Sequence, residues 1–396
     1  MPSKHARLSP SASSRWLTCT ASVQAIEEAR EAGIIKQSDE SKYAREGTIA
    51  HELGEIEARF HFRIDDAATY ARKKDEWVAL FEAEGYAPGT REEMERHIER
   101  YIDLIEERKA MFPYSTVMFE ERVDTGVPTC WGTSDTVIVS PTHVEIIDLK
   151  YGAGVAVSAV ENSQLRLYGL GALDKFGDML GDTEVVRTTV FQPRLGNTST
   201  EELPVDELRE WREEVARPAG WSAIKGDDAV FAPSETACKW CPLAGVCRAR
   251  MEKNTQDDFG ADPATLSMEE LGGILARTKE IRSWTESVEN FALDAIYSQG
   301  QEIPGWKVVR SGGRRVISDA PAAIQTMIDA GYTAEQVTDF KPKGLGQLEK
   351  LVGKTELPEL LGDLLIKTPG KPSLAPESDR REAIHPAGEA AKDFAE

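Results

Sequence analysis

The sequence predicts an α/β protein built as a helix, three strands, a helix and a further strand, and three observations predict it. Residues 133–139 end in the alternating run DTVIV, Ser140 and Pro141 make a turn, and HVEIIDLK returns as a second β-branched strand, so the stretch reads as a hairpin. Helical spacing flanks it: Ile49, Leu53, Ile56 and Phe60 recur on one stripe before the hairpin, and a helix from about Ser158 carries Gln164 and Tyr168 after it. The run EVVRTTVFQP then gives the last strand, followed by a helix around Asp206 to Ala216.

The chain has 396 residues and a hydrophobic content of 40%, enough for a real core and for two or three domains. No run approaches the roughly 18 apolar residues of a membrane span. The N-terminal MPSKHARLSPSASSRW lacks an apolar signal core, so a soluble, cytoplasmic protein is expected. A net charge of −21 excludes a generally sticky nucleic-acid binder, but a local basic groove can still serve a nucleic-acid enzyme. Five cysteines, an odd number, favour metal or cluster ligation over disulfides in such a chain.

Taken in order, a Ser-rich start leads into a helix from about Ser14 through Ala32 that carries Trp16, Leu17, Cys19, Val23 and Ile26. Taken alone, Cys19 reads as a small buried apolar residue. The next helix, about Thr48 to Phe60, places His51 and Glu55 together off its apolar stripe, as an i,i+4 pair that is either solvated or available for chemistry. From about 61 to 112 the sequence is helical and charged, with Met94, Ile98, Ile102 and Ile105 at helical spacing, and reads as an inserted helical subdomain in which His97 is solvated. Pro113 stops it, and STVMFEERV supplies the first strand.

The hairpin carries the chemistry. Successive side chains on a strand point to opposite faces, so Asp148 and Lys150 look the same way while Leu149 faces the other side. Asp135 on the partner strand can join them, and two carboxylates converging with a lysine make a hard-oxygen site for Mg²⁺ or Mn²⁺. An ion pair on an edge strand accounts for the D-x-K spacing equally well. IIDLK is apolar up to the acid, as expected of a buried strand whose polar tip emerges into a cleft. Gln164 and Tyr168, four apart, share one helix face behind that tip.

A second cluster is Cys238, Cys241 and Cys247 in ACKWCPLAGVCRAR, spaced C-x2-C-x5-C. Three thiols within ten residues point to metal or cluster ligation, with Cys19 or Cys130 as the fourth ligand. Spacing does not separate zinc from iron–sulfur, since both accept four thiolates.

These residues resemble a PD-(D/E)XK nuclease of the RecB-like group with an iron–sulfur cluster, similar to the AddB nuclease domain and to CRISPR-associated adaptation nucleases, with phage-encoded relatives nearest. The resemblance covers roughly residues 10–255 and implies a restriction-endonuclease-like α-β-β-β-α-β core with a mixed sheet. It implies a metal-dependent deoxyribonuclease, an exonuclease of phage DNA recombination or processing, with Asp135, Asp148, Lys150, Gln164 and Tyr168 catalytic. It further implies His51, Asp135, Asp148 and the carbonyl of Leu149 as Mg²⁺ or Mn²⁺ ligands, and Cys19, Cys238, Cys241 and Cys247 around a [4Fe-4S] cluster, with Cys130 spare and Zn²⁺ as the alternative occupant. DNA is the implied partner, with a single-strand annealing or binding protein beside it. A catalytically silent DNA-binding or scaffold protein on the same fold is the alternative. The proline of the family name is absent; Ser134 stands before Asp135.

Beyond residue 255 the composition changes, so 1–255 is expected to be the nuclease domain and 256–370 an additional α+β accessory region. MEELGGILARTKEIRSWTESVENFALDAIYSQG reads as a long amphipathic helix, and IPGWKVVRSGGRR as a strand and basic turn. Residues 301–354 hold eight Lys or Arg against six Asp or Glu, which makes Lys307, Arg310, Arg314 and Arg315 candidates for DNA contact. The Pro- and charge-rich tail, 371–396, is expected to be disordered.

Overall fold

The computed structural model describes residues 6–35, 42–87, 89–181, 183–255, 268–309, 320–329, 333–338, 346 and 356–362. The chain divides into two units, one of Met1–Leu271 with Arg277–Gln299 and one of Gly272–Ala276 with Gly300–Glu396.

The first unit is a mixed α/β unit around one five-stranded sheet, ordered β1 (Thr116–Asp124), β2 (Trp131–Val139), β3 (His143–Leu149), β4 (Val185–Gln192) and β5 (Asn197–Pro204). Neighbours run antiparallel except β3 and β4, which are parallel. A parallel pair needs a crossover, supplied by the helix Ser163–Lys175. The expected order of helix, three strands, helix and strand is therefore present, with β5 added at the edge. β5 escaped the sequence reading because NTSTEELP alternates only between partly and fully exposed residues, so no apolar periodicity marks it.

The helices, in chain order, are α1 (Ser13–Trp16), α2 (Ser22–Glu31), α3 (Lys42–His61), α4 (Ala67–Ala83), α5 (Thr90–Ala110), α6 (Ser163–Lys175), α7 (Val205–Trp211), α8 (Arg217–Lys225), α9 (Glu235–Cys238), α10 (Arg248–Thr255) and α11 (Met268–Tyr297). One sheet face packs on α3, α4 and α5 through Ile49, Leu53, Trp77, Ile98, Ile138, Ile147 and Leu149. The other packs on α6 and α7 through Val137, Val144, Ile146, Leu165, Leu170 and Leu208. Burying both faces makes β3 the near-continuous apolar strand that its sequence announces. At Gly171 of α6, an added Cβ would lie 2.7 Å from the Cβ of Val123 and 2.9 Å from the carbonyl oxygen of Asp124, so this glycine is what lets α6 sit close on β1.

Several boundaries differ from expectation. The helix expected over Ser14 to Ala32 is two helices, because Thr20 and Ala21 pair with another segment: Ala21 N–H donates to the Val230 carbonyl, and Val230 N–H donates to Thr20 Oγ1. Cys19 sits in the break, not on the helix. The helix expected from Ser158 begins at Ser163, where Asn162 caps it by accepting from the N–H groups of Gln164 and Leu165. The preceding residues are drawn to β5 instead, with Ala159 N–H on Ser199 Oγ and Glu161 N–H on Glu201. Phe60 leaves the α3 stripe to stack on Tyr70, and Ala50, Gly54 and Ala58 complete the buried face. The helix expected to end at Ala216 continues through a π-helical turn, Arg212–Ala216, into α8.

The second unit contributes α12 (Ala320–Asp329), α13 (Ala334–Val337) and α14 (Glu356–Leu361). The strand expected at residues 303–309 is absent among the described residues; Trp306 N–H closes a turn on the Ile303 carbonyl, as Pro304 and Gly305 favour. Arg310, Arg314, Arg315 and the tail lie outside the described residues, and Lys307 is exposed. Among the described residues no helix is long and apolar enough to cross a membrane.

Candidate functional site

Sheet register assembles the site. Phe119 pairs with Thr136 and Glu121 with Ser134, which sets Glu120 opposite Asp135. The ladder between β2 and β3 ends at Thr136 and Ile147, so the next position sets Asp135 opposite Asp148. There the Asp135 side chain takes over from the backbone ladder, its Oδ2 accepting the Leu149 N–H at 2.8 Å. Three carboxylates thus form a row across three neighbouring strands.

Helices on both faces reach this row. From α3, His51 Nδ1 lies 3.3 Å from Asp135 Oδ1, while its helix neighbour Glu55 turns to Arg59 at 3.8 Å. From the strand end, Lys150 Nζ lies 2.9 Å from Asp148 Oδ2 and donates to Asp148 Oδ1 at 3.1 Å. From α6, Gln164 Nε2 donates to Asp148 Oδ1 at 3.0 Å, and Tyr168, one turn further on, bonds to Gln164. Leu149 faces the opposite core, as period-2 alternation requires. The expected site residues His51, Asp135, Asp148, Lys150, Gln164 and Tyr168 therefore come together.

Electrostatics separate the two aspartates. Burial raises the pKa of Asp135, but His51 and Lys150 overcome it and hold the carboxyl below its usual range. Burial dominates at Asp148, and although Lys150 opposes it, the neighbouring Asp135 charge adds to the rise. Burial also works against charge on His51, yet the carboxylates of Asp135 and Asp148 push it up to about 9. The Lys150 ammonium is likewise raised by Asp148 and Asp135 against its burial. Glu120 rises to about 7, through burial and then the Asp135 charge.

Glu120 is the residue that sequence reasoning missed. In FEERV it is indistinguishable from Glu121, which points outward to Lys175. Only the register reveals that one of these adjacent acids enters the row. His97, expected to be solvated, is half-buried and reaches the Tyr151 hydroxyl at 3.4 Å, beside the end of β3.

The other expected ligands are the cysteines, all five of them free thiols. Cys238 closes α9, whose N-terminus Ser234 caps, and Cys241 N–H donates to the Cys238 carbonyl. Cys19 Sγ accepts the Ala232 N–H at 3.4 Å. Cys238 feels Cys247 and Cys19, and Cys241 feels Cys238 and Cys19; both thiols are raised, by burial first and then by these neighbours. Arg15 stands within electrostatic reach of Cys241 and Cys19, and its buried Nη1 has no hydrogen-bond partner. No three of the cysteine sulfurs lie within 4.8 Å of one another. Tetrahedral zinc would hold them about 3.8 Å apart, given Zn–S bonds of about 2.3 Å. Cys130 lies in a separate apolar cluster with Leu8, Trp16 and Leu167, where burial pushes its thiol up to about 12.

Comparison with known families places the chain. Residues 5–382 match the family described as Protein of unknown function (DUF2800). The chain belongs to this family. This DUF2800 chain thus carries a five-stranded mixed sheet with a group of His51, Glu120 and Asp135 beside the β1–β2 register. This DUF2800 chain also matches a crystal structure of SSO0001 at 14% identity, over 57% of this chain and 94% of that one, with a TM-score of 0.22. At that score the likeness carries no argument about fold or activity.

Proposed function

We propose that this DUF2800 protein is a Mg²⁺- or Mn²⁺-dependent deoxyribonuclease of the PD-(D/E)XK, RecB-like type, acting on phosphodiester bonds in DNA processing. The observation that carries the proposal is the single row holding Asp135 and Asp148, with Lys150 and Gln164 bonded to Asp148. An isolated ion pair at an edge would need neither the second aspartate nor the glutamine. The donor set fits the group: carboxylate oxygens and one imidazole suit Mg²⁺ or Mn²⁺. His51, Asp135, Asp148 and the Leu149 carbonyl would hold the ion. When bound, it would supply Lewis acidity to a phosphate oxygen and lower the pKa of water.

The side chains divide the remaining work. Asp148 orients Lys150, whose ammonium offers its other N–H donors to water or to phosphate oxygens and stabilises the charge that builds up on attack. Gln164 holds Asp148 from behind, and Tyr168 holds Gln164. Buried apolar residues beneath the row, including Ile146, Ile147 and Leu165, keep water out from below. The cysteine group would take a [4Fe-4S] cluster in a structural role. Its thiols span more than two hundred residues, Cys19 accepts an N–H donor, and Arg15, whose buried Nη1 has no hydrogen-bond partner, stands within electrostatic reach of Cys19 and Cys241.

The test is cleavage of end-labelled single- and double-stranded DNA with Mg²⁺ or Mn²⁺, comparing the wild type with Asp148→Ala and Lys150→Ala. Cleavage by the wild type and loss in both variants is expected. Full activity in both variants would overturn the site. DNA binding without cleavage by the wild type would favour the silent, DNA-binding alternative.

A further inference from the structure

We infer that Arg15 and Arg250 are built-in counter-charges for the cysteine site, placed to neutralise a dianionic centre held by the thiolates of Cys19, Cys238, Cys241 and Cys247. This rests on the proposal that these cysteines bind a [4Fe-4S] cluster. It assigns a role to two arginines that the C-x2-C-x5-C resemblance leaves without one.

Arg15 lies on α1, and its carbonyl accepts the Cys19 N–H at 2.8 Å, so guanidinium and thiol leave the same turn of chain. That helix packs against α9, which ends at Cys238. The Arg15 Nη1 is enclosed and has no hydrogen-bond partner. Burial holds its guanidinium below the usual range, and the groups that oppose this are the sulfurs of Cys241 and Cys19. Arg250 lies on α10, just after Cys247, and is only 2% exposed. Its Nη1 donates to the Ala244 carbonyl at 3.2 Å and to Ser287 Oγ at 3.0 Å, and its Nη2 donates to Ser283 Oγ at 3.2 Å. Its Nε is buried without a partner. All of these acceptors are neutral. Glu280, on the helix of those two serines, pairs with Lys253 at 2.9 Å instead. Neither arginine makes an ion pair with a carboxylate among the described residues. Arg250 does act on Cys238, where it favours the thiolate.

A buried guanidinium is tolerated when an anion pairs with it, and is costly when nothing does. Free thiols do not supply that anion, because burial raises the pKa of both Cys238 and Cys241 and keeps them protonated. Four thiolates around a dicationic core, iron–sulfur or zinc, sum to a dianion, which two guanidiniums neutralise. Backbone donors point the same way: the Ala232 N–H reaches Cys19 Sγ at 3.4 Å, and a backbone hydrogen bond from Leu243 favours the Cys241 thiolate. Adding an electron to a cluster deepens its negative charge, so the same two arginines would also favour its reduction.

The test uses the full-length protein, purified anaerobically, and compares the wild type with Arg15→Met and Arg250→Met, which keep apolar bulk and remove the charge. In each loaded variant the visible absorbance of the cluster should be lost to a ferrous-iron chelator at least tenfold faster than in the wild type. The equilibrium constant for one-electron reduction by dithionite should fall at least tenfold, a downward shift of about 59 mV in potential. The cluster-free form should move the other way, with Arg15→Met melting above the cluster-free wild type, because a charge without a partner has been removed. An arginine that merely braces the fold would lower both forms together. Arg15→Lys should restore most of the loaded behaviour. If Arg250→Met does not fold, Arg15→Met and Arg15→Lys carry the comparison. Unchanged cluster loss and potential in Arg15→Met, or a cluster-free Arg15→Met that melts below the cluster-free wild type, would overturn the inference and leave the cluster proposal standing. Zinc in place of iron, released at least tenfold faster from the variants, would support the counter-charge role and rule out the cluster. Neither metal in the wild type would bring down both.

Discussion

The acid row and the cysteine group are built in opposite ways. The row takes five of its residues, Glu120, Asp135, Asp148, Lys150 and Gln164, from one stretch of consecutive strands and the helix that follows them, and hydrogen-bond register fixes their mutual placement. The proposed cluster site would join Cys19 near the N-terminus to Cys238, Cys241 and Cys247, more than two hundred positions later, with no ladder between them. The first centre is therefore a local product of the sheet. On the proposal above, the second would be a tertiary closure, whose cost in chain entropy the bound cluster would offset. Substitutions at the row should alter chemistry more than stability, and substitutions at the cysteines should do the reverse.

The largest expected effect is on chemistry. Asp148→Ala and Lys150→Ala should each lower the cleavage rate by at least about 100-fold, since several kcal/mol of transition-state stabilisation depend on such groups. Melting temperatures should change far less than activity. A large loss of stability with retained cleavage would erase the contrast between the two centres.

Next come the cysteines. Cys19→Ala and Cys238→Ala should each remove absorbance near 400 nm from anaerobically purified protein and lower the melting temperature by on the order of 10 °C, as release of so long a loop implies. Cleavage at low temperature should persist in the folded fraction. Unchanged melting in variants that lack the absorbance would show that the group does not brace the fold.

A third test uses an acid on β3 that belongs to neither centre. Glu145 is fully buried, 3.7 Å from Arg108 and 3.6 Å from Arg187, and Thr189 donates to it. Burial nevertheless raises its pKa above the ordinary range against those partners. A raised folded-state pKa means that the folded chain binds this proton more tightly than the unfolded chain. Its contribution is thus fully present below the unfolded carboxyl pKa and is lost as pH rises through the folded value. Glu145→Gln should flatten that part of the stability curve in denaturant melts at stepped pH, cost about 1–3 kcal/mol at low pH, and leave cleavage intact.

The smallest effect is expected at the row's outer support. Tyr168→Phe removes one hydroxyl bonded to Gln164 and should cost no more than about tenfold in rate, a fraction of the Asp148→Ala effect, because it touches the reacting groups only through Gln164 and Asp148.

Much of this was legible in the sequence, because strand alternation and turn chemistry are local. DTVIV, Ser140–Pro141 and HVEIIDLK fix a hairpin, and a period of two then puts Asp148 with Lys150 and turns Leu149 away, as the structure shows. Four-residue helical spacing likewise put Gln164 and Tyr168 on one face. Three features were decided only by tertiary structure. Glu120 entered the row because β1 pairs with β2 in a register that no local pattern in FEERV distinguishes from its neighbour. β5 formed from a polar run because β4 offered it a free edge. Cys19 left its helix because Val230, from a distant segment, claimed the backbone and side chain beside it. In each case a backbone partner far along the chain outweighed a local preference worth a few tenths of a kcal/mol per residue. The sequence alone determined which acids, lysine and cysteines were available; register and long-range pairing decided which of them meet.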